Sequence, residues 1–281
     1  MRNRFAIGSL SLALALWAPI HAGATTLLFN DFSSTSGLQL NGATAAINVG
    51  GQGVLDFNGD RVLRLTNNLG QSGSAFSTTA ISLDADASFS TRFDFRITDQ
   101  QNTGADGIVF VVQTVSNTAG GAGGGIGYLG LPNSVGIEFD NWFNQGFDIN
   151  ANHAGIDLNG SVSSNPTVSL DPIAQLDNGN VWTAWVDYDG ANDLLEVRAN
   201  ITGVRPATAL LSRTVDLVSV LGVTDAFVGF TSGTGAAGAD HDILSWEFRS
   251  TFNPIDAPEP SVLGLLALGL VGLAVRRRNQ R

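Results

Sequence analysis

Between Val135 and Asn159 the chain reads V-G-I-E-F-D-N-W-F-N-Q-G-F-D-I-N-A-N-H-A-G-I-D-L-N. Ile137 and Phe139 alternate with Glu138 and Asp140, the pattern of a strand with two carboxylates on one face. Like charges so placed repel unless a cation sits between or beside them. Asn144, Asp148 and His153 follow in a loop that Gly146 lets turn back, and Ala154 to Leu158 reads as the returning strand. Carboxylate and amide oxygens suit a hard ion such as Ca2+. One imidazole added to carboxylates suits a first-row transition ion such as Mn2+. The plain alternative for an Asp/Asn/Gly-rich run is a solvated acidic hairpin.

The elements that must hold these residues are strands. The chain has 281 residues, 43% hydrophobic and only 14% charged, with 34 glycines, a composition suited to one large β domain with many turns. Phe89, Thr91, Phe93, Phe95 and Ile97 alternate with Ser90, Arg92, Asp94 and Arg96, which predicts one core face and one wet face. Leu27–Phe29, Val62–Leu65 after an Asn58-Gly59 turn, Phe76–Leu83, Ile108–Gln113, Val181–Asp189, Asp193–Ala199 and Ala226–Phe230 read as further strands. Leu210–Val220 reads as a strand and a turn, and Gly120–Gly130 is a glycine-rich loop. No lysine follows that loop or occurs anywhere, so a phosphate-binding P-loop is excluded.

Cysteine is absent, which excludes disulfides and thiolate metal sites. Eight arginines face 24 carboxylates between residues 25 and 257, a formal charge of −16. So acidic a body argues against nucleic acid and anionic membrane surfaces as partners. Residues 1–24 read as a signal peptide: Arg2 and Arg4, an apolar Phe5–Ala18, then Ala22-Gly23-Ala24 for cleavage. Residues 253–281 form a linker and tail, with Pro258-Glu259-Pro260, apolar 262–275, and a basic end over 276–281. Fourteen helical residues reach about 21 Å, short of the ~30 Å hydrocarbon core, which suggests a transient membrane contact.

Several of these strings resemble the legume-lectin family (L-type lectins). E-x-D-x-aromatic-x-N-x3-D-x4-H followed by G-I-D-x-N resembles its metal loop. A-D-G-I-x-F at 105–110 resembles the segment that carries its sugar-binding aspartate. V-G-F-T-S-G-T-G at 228–235 and H-x-I-L-S-W-x-F at 241–248 resemble its last motif, and W-V-D-Y-D-G at 185–190 its scaffold. The resemblance implies an all-β, concanavalin A-like jelly roll, an antiparallel β-sandwich, over residues 25–252. It implies two ions side by side. Glu138, Asp140, Asp148 and His153 would hold Mn2+ or another transition metal, and Asp140, the Trp142 backbone carbonyl, Asn144 and Asp148 would hold Ca2+.

For carbohydrate it implies Asp106, after a cis peptide, as acceptor from sugar hydroxyls. The Asn144 amide and a backbone N–H of Gly125 or Gly127 would donate, and Trp142 would stack on the sugar. The loop around Gly235, Ala236 and Ala237 would set specificity. The tail resembles the PEP-CTERM sorting signal, which implies export from a Gram-negative bacterium and processing by an exosortase, to the cell surface or an extracellular matrix. A homo-oligomer paired through edge strands is also expected.

Two rival functions remain at this level. A glycoside hydrolase needs two carboxylates about 5–9.5 Å apart. Hydrolases of this fold use E-x-D-x-E or E-x-D-x-x-E, but Trp142 and Phe143 occupy those places, and the chain has only Glu138, Glu196, Glu247 and Glu259. The reading is therefore non-enzymatic. The other rival is a structural or adhesive matrix protein whose sugar site does not work.

Overall fold

The alternation in Phe89–Ile97 organises the molecule. Phe93 and Phe95 are fully buried, and their rings face a second sheet. Phe93 lies 5.8 Å from Phe110, 6.1 Å from Phe139 and 5.0 Å from Phe230, centroid to centroid. Such offset and edge-to-face contacts add to the burial that drives the two sheets together.

The computed structural model describes residues 24–49, 61–83 and 86–255. The signal peptide, most of the C-terminal tail and the Asn58-Gly59 turn lie outside the described residues. The elements in chain order are β1 (Thr26–Phe29), β2 (Leu38–Gly42), β3 (Ala45–Asn48), β4 (Arg61–Thr66), β5 (Ser72–Ser77), β6 (Ile81–Ser82), β7 (Phe89–Gln101) and β8 (Gly107–Gln113). There follow β9 (Ser134–Asp140), β10 (His153–Leu158), β11 (Thr167–Ser169), β12 (Trp182–Asp189), β13 (Leu194–Asn200), β14 (Leu211–Thr214), α1 (Leu217–Leu221), β15 (Asp225–Gly233) and β16 (Gly238–Arg249). One sheet runs β14-β13-β12-β7-β16-β4-β3, with β1 also on β16; the other runs β11-β10-β9-β8-β15-β5-β2, with β6 on β15. All these pairings are antiparallel, and the two sheets pack face to face as an all-β sandwich.

Two stretches differ from the sequence reading. Phe76–Leu83 is divided between β5 and β6, because the chain leaves the sheet at Thr78. Leu217–Leu221 is a short helix: Asp216 caps it by accepting from the Ser219 N–H at 3.0 Å, and Gly222 ends it at φ +77°. L-V-S-V-L carries no helix period long enough to separate it from a strand.

The first sheet turns its other face outward, and arginines lie along it. Arg64 Nε donates to Asp242 at 2.7 Å, Arg96 reaches the same carboxylate at 3.3 Å, and the Arg92 guanidinium stands 5.9 Å from the Trp185 ring centroid. At one end of this sheet the Thr25 N–H donates to Ser250 Oγ at 2.8 Å, and the Ser250 N–H donates back to the Thr25 carbonyl at 2.9 Å.

The packing sets a contrast for mutation. Phe93→Ala should lower the unfolding free energy by about 3–5 kcal/mol, since the ring has neighbours on every side. Leu28→Ala, at a side chain 57% exposed, should stay within about 0.5 kcal/mol. Denaturant unfolding of both variants checks this; a Phe93→Ala loss no larger than that of Leu28→Ala would contradict the assigned core.

Candidate metal and ligand site

The antiparallel register of β9 and β10 pairs His153 with Asp140, Gly155 with Glu138 and Asp157 with Gly136. Residues two apart share a face, so Glu138, Asp140, His153 and Asp157 project from the outer side of the second sheet. Ile137, Phe139, Ala154 and Ile156 take the core side. Ligand-type atoms of Glu138, Asp140 and His153 lie within 4.8 Å of one another. His153 Nε2 is 3.2 Å from Glu138 Oε1 and 3.9 Å from Asp148 Oδ1. His153 Nδ1 lies 2.9 Å from the Asn150 carbonyl, which can only accept, so Nδ1 carries the proton and Nε2 offers its lone pair to the cluster.

The loop after β9 closes on the same point. Asp140 Oδ1 accepts from the Trp142 N–H at 2.7 Å, and Asp148 Oδ2 accepts from the Asn144 N–H. The Asn144 carbonyl accepts from Phe147 and Asp148 N–H at 3.0 and 3.2 Å. Burial pushes the Asp140 carboxyl well up, and the charges of Glu138, Asp148 and Asp106 push it further against the Trp142 hydrogen bond. Burial raises Asp148 too, against the hydrogen bond from Asn144. For His153 burial pulls the pKa down, but Glu138 and Asp148 outweigh it and the net direction is up. Glu138 Oε2 is buried without a hydrogen-bond partner. Crowded carboxylates, an inward imidazole lone pair and an orphaned carboxylate oxygen form a donor set that fits a divalent cation.

Asp157 and Ser164 belong to this cluster and received no role in the sequence reading. Ser164 Oγ donates to Asp157 Oδ1 at 2.9 Å and also contacts Glu138 Oε1. Gly155 makes room for them: a Cβ there would stand 2.3 Å from Ser164 Cβ and 2.7 Å from Glu138 Oε1. The period-two string H-x-G-x-D places Asp157 on the ligand face, and that signal was available in the sequence. Nothing in the sequence spacing brings in Ser164, which arrives from the loop before Pro166.

Asp106 follows a cis Ala105–Asp106 peptide. Its N–H donates to the Gly233 carbonyl at 3.2 Å and its carbonyl accepts from the Asn141 N–H at 3.1 Å, so its backbone is clamped between two loops. Gly107, at φ +147°, crosses so close to β9 that a Cβ would meet the Phe139 carbonyl at 2.4 Å. The Asp106 side chain is 4% exposed, and Oδ2 has no partner. Burial, helped by the charge of Asp148, raises its pKa to about 6. A buried carboxylate oxygen without a donor is costly unless a ligand supplies one.

The other expected residues divide. Asn144 is half-buried, and Gly124 abuts its amide: a Cβ on Gly124 would lie 2.8 Å from Oδ1. Gly125 faces Leu129 and Gly127 faces Thr231, so these two glycines pack within their own loop and against β15. The glycine that meets Asn144 is Gly124, in the same loop as Gly125 and Gly127. Gly235 stands beside Asp106, since a Cβ there would be 3.8 Å from Oδ2. Ala236 is exposed and its carbonyl accepts from Asn102, whereas Ala237 is buried. Trp142 is half-buried at the start of the loop after β9. His241, kept as structural, is fully buried; burial drives its pKa down to about 3, and Nδ1 pairs with Thr66 Oγ1 at 2.8 Å.

Comparison with known proteins gives the family. The family model for the legume lectin domain matches residues 24–263, and that for the PEP-CTERM protein-sorting motif matches 256–278, the mark of an exported protein. No helix among the described residues is long and apolar enough to cross a membrane. The chain is 37% identical over 177 residues to the L-type lectin-domain containing receptor kinase VIII.1 of Arabidopsis thaliana, covering 59% of this chain and 24% of the kinase. It thus spans about a quarter of the first such kinases, and the likeness reaches only their lectin region. It is 32% identical over 229 residues to the leucoagglutinating phytohemagglutinin of Phaseolus vulgaris, covering 74% of this chain and 82% of that one. Among solved structures, basic winged bean lectin with Tn-antigen superposes with a TM-score of 0.65 at 28% identity, over 80% of this chain and 98% of that one. The chain belongs to the legume lectin domain family.

Proposed function

We propose that this domain binds carbohydrate without catalysing a reaction, in a site formed by Asp106, Asn144, the backbone at Gly124 and the Gly235–Ala237 loop. The observation that carries the reading is the orphaned Asp106 Oδ2, buried beside Gly235. Sugar hydroxyls are donors of the right kind for it. Asn144 supplies an amide, the Gly124 backbone approaches it with no side chain in the way, and the half-buried Trp142 offers a ring face.

Glu138, Asp140, Asp148 and His153 would hold a transition ion such as Mn2+, and Asp140, the Trp142 carbonyl, Asn144 and Asp148 would hold Ca2+. The ions would supply positive charge that neutralises the carboxylates and lets them stay ionised where they are buried. The protein's own part is positional. The Asp140–Trp142 and Asp148–Asn144 hydrogen bonds fix the loop that aims Asn144, and the Asn141 N–H ties that loop to Asp106. Hydrolysis is disfavoured by the same geometry: Asp157, the carboxyl beside Glu138, is 1% exposed, so this pair cannot flank a glycosidic bond.

Solved relatives suggest which sugar to try first. Winged bean acidic lectin, 28% identical, is complexed with methyl-α-D-galactose, and the basic lectin with Tn-antigen. Export would follow from the leader at residues 1–24. The sorting tail would pass to an exosortase of a Gram-negative producer, leaving the domain at the cell surface or in its matrix. Pairing of edge strands would give a homo-oligomer.

Calorimetric titration of the metal-loaded protein with galactose, glucose and mannose tests the reading. Binding should vanish on chelation and fall about a hundredfold in Asp106→Ala, the loss of two hydrogen bonds to a charged acceptor. Binding unchanged in that variant would refute the assigned site, and the absence of any sugar binding would favour the matrix-protein reading.

The metal proposal has a pH signature. Without metal, the folded state keeps Asp106, Asp140 and Asp148 protonated above the pH at which the unfolded chain releases those protons. That contribution to stability is full below pH ~4 and is lost as pH rises through the raised pKa values, to about 6 for Asp106. Metal must displace these protons, and the second proton that Glu138 and Asp148 favour at His153 Nε2, so it gains on protons as pH rises. The melting-temperature increase on adding Ca2+ and Mn2+ should be larger at pH 7 than at pH 5. His241, whose opposite dependence is common to both metal states, cancels in this difference. An equal or smaller increase at pH 7 would speak against carboxylate ligation.

A further inference from the structure

Crossings between the two sheets meet at the pole that holds Asp106. The chain passes from the first sheet to the second after β4, through Asn67–Gln71, and again after β7, through the segment that ends in Asp106. It returns after β15, through Thr234–Ala237. This returning loop has only a buried threonine, a glycine and two alanines, so it can meet a ligand through backbone and methyl groups alone. A backbone group has no rotamer with which to adjust, and its placing must come from what holds the loop.

All four carbonyls of that loop are engaged. Thr234 accepts from the Gly123 N–H at 3.1 Å, Gly235 from the Gly70 N–H at 3.0 Å, Ala236 from Asn102 Nδ2 at 2.8 Å, and Ala237 from the Gly235 N–H at 3.0 Å. The crossing after β4 adds more. The Thr234 N–H donates to the Gln71 carbonyl at 2.9 Å, the Gln71 N–H donates to Thr234 Oγ1 at 2.9 Å, and that hydroxyl donates to the Asn68 carbonyl. Gly238 follows with no side chain, and a Cβ there would stand 3.2 Å from the same Asn68 carbonyl.

Asn67, Asn68, Leu69 and Gly70 are all exposed, so burial does not shape this turn. One side chain does. Gln71 Oε1 accepts from the Asn67 N–H at 2.7 Å and from the Asn68 N–H at 2.9 Å. Two N–H groups aimed at one atom identify it as the amide oxygen. Gln101 Nε2 adds a strut to the Asn67 carbonyl at 3.1 Å.

We infer that Gln71 is a positioning residue: by folding the Asn67–Gln71 turn it fixes Thr234–Ala237, and so sets which hexose the site accepts. Epimeric hexoses differ in the direction of one hydroxyl, and a fixed backbone group that pairs with one direction is left unpaired by the other. This rests on the carbohydrate reading above and goes past it, because selectivity then depends on a side chain that is not itself a ligand contact.

The test is calorimetric titration of the Ca2+- and Mn2+-loaded protein with galactose, glucose and mannose. Gln71→Ala should lower the affinity ratio between the best and the next hexose about fivefold, the worth of one hydrogen bond. Gln71→Glu, which keeps an acceptor oxygen, should restore it, and Leu69→Ala, on the same turn, should leave it unchanged. In the sugar-free protein, amide exchange at Gly70 and Thr234 should quicken about tenfold in Gln71→Ala alone. An unchanged ratio or unchanged exchange in Gln71→Ala overturns the inference and leaves the carbohydrate reading standing, as does a ratio that Gln71→Glu fails to restore. An equal loss of selectivity in Leu69→Ala overturns it too, because the turn then meets sugar directly. Metal affinity lost together with selectivity overturns it as well, since the effect is then a general loosening. If the unaltered protein binds none of the three hexoses, the carbohydrate reading falls and this inference with it.

Discussion

Crowded negative charge on one buried sheet face is the constraint from which the rest of this molecule follows. Strand alternation places Glu138, Asp140 and Asp157 on the outer side of the second sheet, and the loop adds Asp148. In water such a group would scatter, but here β9, β10 and the core behind them hold it together. Ionised carboxylates this close and this dry need a compensating cation, or else protons. The backbone donors at Trp142 and Asn144 stabilise the ionised forms of Asp140 and Asp148, and burial opposes them. The cluster is therefore poised between two ways of becoming neutral, and the loop that presents Asn144 is built on that choice.

The sandwich makes the arrangement tolerable by removing volume where groups must meet. Gly155 leaves space for Ser164 against Glu138, and Gly124 leaves space for the Asn144 amide. On the other side, Phe93, Phe110, Phe139 and Phe230 form a tightly packed aromatic interior. An interior packed in this way deforms little, so strands that carry charged groups outward keep their spacing. The unfavourable burial of charge on one face is thus offset by apolar packing on the other.

Much of this was legible before any coordinates. The alternation at Phe89–Ile97 and Ile137–Asp140 is a local property, and both strands formed where the pattern placed them. The metal-loop spacing brought Glu138, Asp140, Asp148 and His153 to one point, because each is fixed by strand register or a tight turn. What the sequence left undecided shares a cause: it depends on which backbone atoms approach in space. Gly124, Gly125 and Gly127 are indistinguishable in a glycine-rich string, and only the path of the loop decides which faces Asn144. Ser164 reaches Glu138 from another segment, and Leu217–Leu221 is settled by its cap at Asp216 rather than by its composition.

The hydrogen bonds that join Thr25 to Ser250 also set how the domain is held. β16 runs from Gly238, next to the loop of Gly235 to Ala237, to Arg249, beside Ser250. At about 3.3 Å per residue, those twelve residues separate the two ends by roughly 36 Å. The chain enters and leaves the fold side by side at one pole, and Asp106 and Gly235 lie towards the other. A tether attached at either end therefore pulls on the same spot and leaves the end that carries Asp106 turned away from the support, whichever end is used. Joining the two ends by a short linker and opening the chain elsewhere would reposition that handle without passing through the loops around Asp106 and Gly235.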